Sequence, residues 1–109
     1  MTPPKRGDVY WVNLDPTVGS EIAKRRPAVV MSVNALNRHR NHVVIVPLSS
    51  KGTPRPPIVT AVTSLDKTAT ARVDQLRAID KSRLLNQLGT LSNDDMEQIE
   101  KGLRVVLGL

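Results

Sequence analysis

The chain contains no cysteine and no phenylalanine, and only one tryptophan, one tyrosine and two histidines in 109 residues. Without cysteine, neither a disulfide framework nor a Cys-ligated zinc site can form. His39 and His42 stand three apart among Asn and Arg, with no carboxylate nearby to complete a metal site, so no metal or cofactor is expected. So few aromatics argue against an RNA-recognition sheet that grips bases by stacking. No apolar stretch approaches the roughly 20 residues of a membrane span. The N-terminus, M-T-P-P-K-R-G-D, has no signal-peptide core, and a cytoplasmic protein with no membrane contact is expected. Nothing repeats and no linker divides the chain. A single domain over residues 1–109 is expected, long enough for one small core.

Acid is also missing from one long block. The net charge is +6, but from Ile22 to Leu65 there is no Asp or Glu, while Lys24, Arg25, Arg26, Arg38, Arg40, Lys51 and Arg55 all fall there. A one-signed surface of this kind attracts polyanions and speeds their encounter. Nucleic acid and an acidic protein segment are both eligible partners.

What is present centres on Leu14–Val30, L-D-P-T-V-G-S-E-I-A-K-R-R-P-A-V-V. Asp15-Pro16 and Gly19-Ser20 carry turn chemistry, and the apolar run after Pro27 reads as a buried strand. Lys24, Arg25 and Arg26 are then delivered to a strand mouth by a structured loop. A solvated basic loop is the competing reading.

The rest reads mostly as short strands. Gly7–Leu14 has apolar residues on both faces, with Val9 and Trp11 on one and Tyr10, Val12 and Leu14 on the other, which predicts a strand packed on two sides. Ala28–Val33 is a second strand. Asn34–Asn41 is a polar connection with a short helical turn. His42–Leu48 is a third strand, its far end limited by Pro47 to an edge or a terminus. Ser49–Pro57 is loop, Ile58–Val62 a fourth strand and Ala69–Leu76 a fifth, with Arg77–Ile79 extending it or opening a sixth. Asp80 is expected to cap a short helical turn through Ser82–Gln87, stopped by Gly89. Ser92, with Asp95 three residues on, predicts a capping box. Met96, Ile99, Leu103, Val106 and Leu107 follow on one helical face, as core packing. Strands followed by a helix, with linkers too short for parallel crossovers, predict an α+β domain with a mainly antiparallel sheet.

Within the fifth strand Arg72 and Asp74 are two apart and would share one face. They read either as a surface ion pair, worth little, or as a phosphate clamp beside a proton acceptor. Ser49 and Ser50 add two hydroxyls at a loop mouth, and Arg26 starts the second strand. Their convergence on one anion would make a phosphoryl-transfer site.

R-G-D-V-Y-W-V-N-L-D-P-T-V-G-S-E-I-A-K-R-R-P-A-V-V, then V-P-L-S-S-K-G, then R-V-D-Q-L-R-A-I-D, resemble the MazF/PemK (Kid) family of bacterial toxins over nearly the whole chain. The resemblance implies a small SH3-like, CcdB-like barrel with a C-terminal helix, forming a homodimer. It implies a metal-independent endoribonuclease that cleaves single-stranded RNA at short sequences through 2′-hydroxyl attack, leaving a 2′,3′-cyclic phosphate and a 5′-hydroxyl. It also implies neutralisation by an acidic MazE-like antitoxin. Position by position, Arg26 matches the family's catalytic arginine and Ser49 stands where a Thr is common. Ser50 matches a substrate-contacting hydroxyl, Arg72 and Asp74 the acid/base pair of the PemK-like branch, and Gln75 a neighbouring amide. Glu21 matches a carboxylate of some MazF members. Lys24, Arg25, Lys51 and Arg77 are expected to contact substrate. Ser20 stands where the PemK-like branch carries a His, so one proton-handling group of that branch is missing.

Arginine stays protonated, so Arg26 and Arg72 suit stabilisation of the charged phosphorane better than proton abstraction. Asp74 is then the leading base and Glu21 the second. A CcdB-like toxin that inhibits gyrase through a protein contact, and a non-catalytic nucleic-acid-binding module, remain as alternatives.

Overall fold

Residues 2–21 and 24–109 are described by the computed structural model; Met1, Ile22 and Ala23 lie outside the described residues, so the Leu14–Val30 stretch is known from its two arms. The strands are β1 (Asp8–Asn13), β2 (Arg25–Val30), β3 (His42–Ser49), β4 (Val59–Val62), β5 (Ala69–Arg72), β6 (Arg77–Asp80) and β7 (Leu84–Thr90). The helices are α1 (Asn34–His39) and α2 (Asn93–Leu107). Pairing is antiparallel in the order β4-β5-β3-β2-β1-β7, with β6 also on β3. The expected α+β domain with an antiparallel sheet and a C-terminal helix is what forms.

The sheet must curl. β6 and β7 lie at opposite ends of the run β6-β3-β2-β1-β7, yet only residues 81–83 join them. So short a connection brings the two ends together into a small barrel. Arg83 stitches the seam, its Nη1 donating to Asn13 O (3.1 Å) and Asp15 O (2.7 Å), and Arg77 Nη1 donates to Leu14 O (3.4 Å).

Alternation along the strands builds two cores, as the doubly apolar first strand predicts. Val12, Leu14, Ala28, Val30, Val43, Ile45 and Ile79 form one. Val9, Val29, Val46, Leu48, Ala71, Val73, Met96 and Ile99 belong to the other, which brings in α2. Gly102 lets α2 sit close, because a Cβ there would stand 2.3 Å from Pro57 O and 3.1 Å from Val73 Cγ1.

Five expectations are corrected. The second strand begins at Arg25, so Arg25 and Arg26 are strand residues paired with Asn13 and Val12. The fifth strand ends at Arg72; residues 73–75 form a 3-10 turn, so Arg72 and Asp74 do not share a strand face. Pro47 is the physical reason. Met31 N–H donates to Val44 O (2.8 Å), so even-numbered residues of β3 bond to β2 and Pro47 faces the other edge, where it has no N–H to give. The ladder on that edge runs Ile45–Arg77, then resumes at Leu48–Ala71, and the turn fills the gap. Pro47 thus sits in a central strand rather than at an edge or terminus.

The predicted helical turn through Ser82–Gln87 shrinks to a 3-10 turn at 81–83, with Asp80 Oδ1 accepting from Ser82 N–H (2.9 Å), and Leu84–Thr90 becomes β7. Good helix formers lose there to the open edge of β1, whose backbone groups take Leu84, Gln87 and Gly89 as partners. In α2 the stripe is shorter than expected: Met96 and Ile99 are buried, Leu103 and Val106 half-buried, and Leu107 exposed.

Candidate active site

A pinned loop neck presents the cations. Leu14 N–H donates to Lys24 O (2.9 Å) and Lys24 N–H donates to Asp15 Oδ1 (2.9 Å), which closes the long loop at its base. Lys24 has φ +69°, an uncommon left-handed conformation for a side chain this long. It turns the chain directly into β2, so Arg25 and Arg26 follow from a fixed point. The Leu14–Val30 stretch is therefore more than a solvated basic loop at this end.

Ser49 closes β3 and begins the next loop. Its Oγ accepts Lys51 N–H (3.1 Å) and keeps its own hydrogen to donate. The β2–β3 register pairs Ala28 with Pro47, Val29 with Val46 and Val30 with Ile45, and Arg26 and Ser49 lie just beyond its Ala28–Pro47 end. Alternation puts Arg26, Pro47 and Ser49 on one side of the sheet. Arg25, Arg26, Ser49 and Ser50 line one groove of about 570 Å³, so the structure brings these four together. Lys51 is exposed on the loop just beyond.

A second groove, of about 290 Å³, is lined by Ser20, Glu21, Pro47, Asp74, Gln75, Leu76 and Arg77. Pro47 of β3 lines the smaller groove, and Leu48 and Ser49 line the larger. Asp74 is exposed on the 3-10 turn. Glu21 closes its own turn, with Oε1 accepting Val18 N–H (2.8 Å). The site residues thus fall into a cationic, hydroxyl-bearing group in the larger groove and a group with two carboxylates in the smaller.

Arg72 lines neither groove. Its Nη2 donates to Lys51 O (3.3 Å), beside Thr70 Oγ1, which donates to the same oxygen (3.3 Å). Gly52 has φ +98°, which favours glycine, and a Cβ there would stand 2.7 Å from Arg72 Nη2 and push that side-chain end aside. Arg72 holds the Ser49–Arg55 loop down. The Nε atoms of Arg26 and Arg72 are buried with no partner among the described residues.

Sequence reasoning missed one wall of the larger groove. Trp11, Leu65, Lys67, Ala69 and Leu88 line it, and Trp11 is 36% exposed. A lone tryptophan on a strand whose alternation already separated it from Tyr10 was the available signal. Asp95 was legible only as half of a capping box. Ser92 Oγ accepts Asp95 N–H (3.2 Å), but the Asp95 carboxylate turns away and takes Thr63 N–H (3.0 Å) and Ser64 N–H (2.9 Å). Burial opposes its charge, yet hydrogen bonds from Ser64 and Thr63 outweigh burial and hold its carboxyl below the usual range. Among the described residues no three His, Asp or Glu side chains gather as a metal-binding set, and no helix is long and apolar enough to cross a membrane.

Known proteins match the chain over nearly its whole length. A family model described as "PemK-like, MazF-like toxin of type II toxin-antitoxin system" matches residues 5–107. A structure titled "Endoribonuclease from Mycobacterial species" is 30% identical, covers 100% of this chain and 95% of its own, and superposes with a TM-score of 0.84. A second structure, "Endoribonuclease in complex with its cognate antitoxin from Mycobacterial species", is 30% identical, covers 97% of this chain and 96% of its own, and superposes with a TM-score of 0.83. MazF from Deinococcus radiodurans is 27% identical, covers 100% of both chains and reaches a TM-score of 0.90.

Proposed function

The chain belongs to the PemK-like, MazF-like toxins of type II toxin–antitoxin systems, and from that premise we propose that it is an endoribonuclease cleaving single-stranded RNA in the cytoplasm as a homodimer, restrained by an acidic antitoxin. The observation that carries the site is the shared groove of Arg25, Arg26, Ser49 and Ser50 at the mouths of β2 and β3. Fixed cations and hydroxyls at one place suit a phosphate, and electrostatic stabilisation of the developing charge is commonly the largest catalytic term. Family membership disfavours both a gyrase inhibitor and a non-catalytic module.

In this reading Arg26 and Ser49 hold the scissile phosphate at the mouths of β2 and β3. Asp74, from the smaller groove, accepts the proton of the 2′-hydroxyl as that oxygen attacks phosphorus. The P–O5′ bond breaks and the departing O5′ takes a proton from water, leaving a 2′,3′-cyclic phosphate and a 5′-hydroxyl. Glu21 is the second candidate base, and Gln75 and Arg77 flank the substrate. Lys24 and Lys51 meet the RNA backbone from the two loops. Arg72 acts by keeping the Ser49–Arg55 loop in place rather than by touching phosphate, which departs from the role the resemblance implies. No metal is called upon.

The test is incubation of the purified chain with a defined single-stranded RNA in EDTA, followed by end mapping. Cleavage with cyclic-phosphate ends is expected, Arg26→Ala is expected to abolish it with the fold intact, and Asp74→Asn to slow it by about 10²–10⁴-fold. Near wild-type cleavage by Arg26→Ala would show that the phosphate binds elsewhere.

A further inference from the structure

The wall of the larger groove that no sequence motif marks is the β4–β5 loop, from Ser64 to Thr68, and it is held in an unusual way. A carboxylate three residues after an N-cap serine ordinarily turns back to that residue's N–H. Here Ser92 N–H donates instead to Ser64 Oγ (3.0 Å), and Asp95 reaches across to a segment more than thirty residues away in sequence. Asp95 Oδ2 accepts Thr63 N–H (3.0 Å), Ser64 N–H (2.9 Å) and Ser64 Oγ–H, while Oδ1 accepts Thr63 Oγ1–H (3.3 Å). Asp95 is only 5% exposed. Only an acceptor with two oxygens can meet that set, because an amide has one. One residue on, Leu65 Cδ2 lies 3.4 Å from where a Cβ on Gly89 would stand, so the loop reaches β7 across the groove.

We propose that Asp95 is a positioning residue for RNA cleavage: by clamping Thr63 and Ser64 it fixes the β4–β5 loop as one wall of the groove that Arg25, Arg26 and Ser49 also line. The inference rests on the reading of that groove as the RNA site. A clamp for helix stability alone would close locally. This one spends the buried charge on the loop, and the helix start is satisfied by the loop's own serine. Substrate seating, rather than the chemical step, is what the clamp controls.

The test compares Asp95→Asn, Ser64→Ala and the double variant with wild type in the full chain. Asp95→Asn is expected to raise KM about tenfold with kcat held within about twofold, the pattern of lost seating. Ser64→Ala is expected to raise KM about threefold, and the double variant to be no worse than Asp95→Asn, because the two act through one contact set. Trp11 is the only tryptophan and lines the same groove. Its quenching by acrylamide, measured without RNA, is expected to increase in Asp95→Asn. A lower melting temperature with unchanged KM and unchanged quenching would overturn the proposal, leaving Asp95 a role in the fold only. If Asp95→Asn does not fold, Ser64→Ala decides on the same two readouts. A wild-type chain that cleaves no RNA would overturn the preceding reading instead, and the quenching readout, which needs no RNA, tells the two failures apart.

Discussion

Asp95 keeps a charge where burial opposes it, and the balance has a pH signature. Its hydrogen bonds to Ser64 and Thr63 hold the folded carboxyl below the usual range, and so below the roughly 3.9 of an unfolded Asp. Its contribution to stability is therefore fully present above that unfolded value and is lost as pH falls through the folded one. The melting temperature of the wild type is expected to drop steeply below about pH 4. Asp95→Asn should melt lower at neutral pH but show a shallower acid limb. Asp80, whose carboxyl the Ser82 backbone N–H holds down, titrates in the same direction, so the limb flattens and does not vanish. An identical limb in both proteins would place the acid sensitivity in other carboxylates.

α2 owes its seat to a single missing methyl group. Its ends are well made: Ser92 caps the start, and Gly108 (φ +69°) closes the other end with its N–H near Val105 O. In isolation Gly102→Ala would favour the helix by about 1 kcal/mol. In place, the new Cβ meets Pro57 O and both methyls of Val73. Pro57 belongs to the loop after β3, and Val73 opens the 3-10 turn that carries Asp74. Overpacking of this kind usually costs about 1–3 kcal/mol, enough to outweigh the propensity gain. Gly102→Ala is expected to lower the melting temperature by several degrees and to slow cleavage as well, since Asp74, which lines the smaller groove, directly follows the displaced Val73. Calorimetry and an RNA assay on one preparation check it; a more stable, fully active variant would mean that the loop yields freely.

Charge acts over the whole molecule. The acid-free block places Lys24 and Arg25 at one loop mouth and Lys51 and Arg55 on another, while most of the carboxylates follow Leu65. An acidic antitoxin segment, disordered until bound, would compete with RNA for this field. Reversing Lys24 and Arg25 to Glu is expected to weaken both ligands. For RNA, the loss of two phosphate contacts should reduce the slope of log affinity against log salt by about 1.4, at about 0.7 per contact on single strands. Titration of each ligand over a salt series checks this. Antitoxin affinity that stays constant while RNA binding falls would separate the two surfaces.

By itself the sequence determined the class of fold, the strands whose alternation is strong, the capped C-terminal helix and the identity of Arg26 and Ser49 as residues at strand mouths. These are local properties: side-chain period, turn chemistry and end caps act within a few residues, so the chain order carries them. Tertiary structure decided what depends on who stands across the gap. Leu84–Thr90 became a strand because β1 had an open edge to fill, and Ala69–Leu76 broke because Pro47, on another strand, had no N–H to offer. Arg72 was drawn to the Lys51 carbonyl and away from Asp74, and Asp95 left its own helix for Ser64. Trp11 became a groove wall only when β7 and the β4–β5 loop arrived beside it. Each of these outcomes turns on a hydrogen-bond partner or a packed surface remote in sequence, and no periodicity within a segment encodes that.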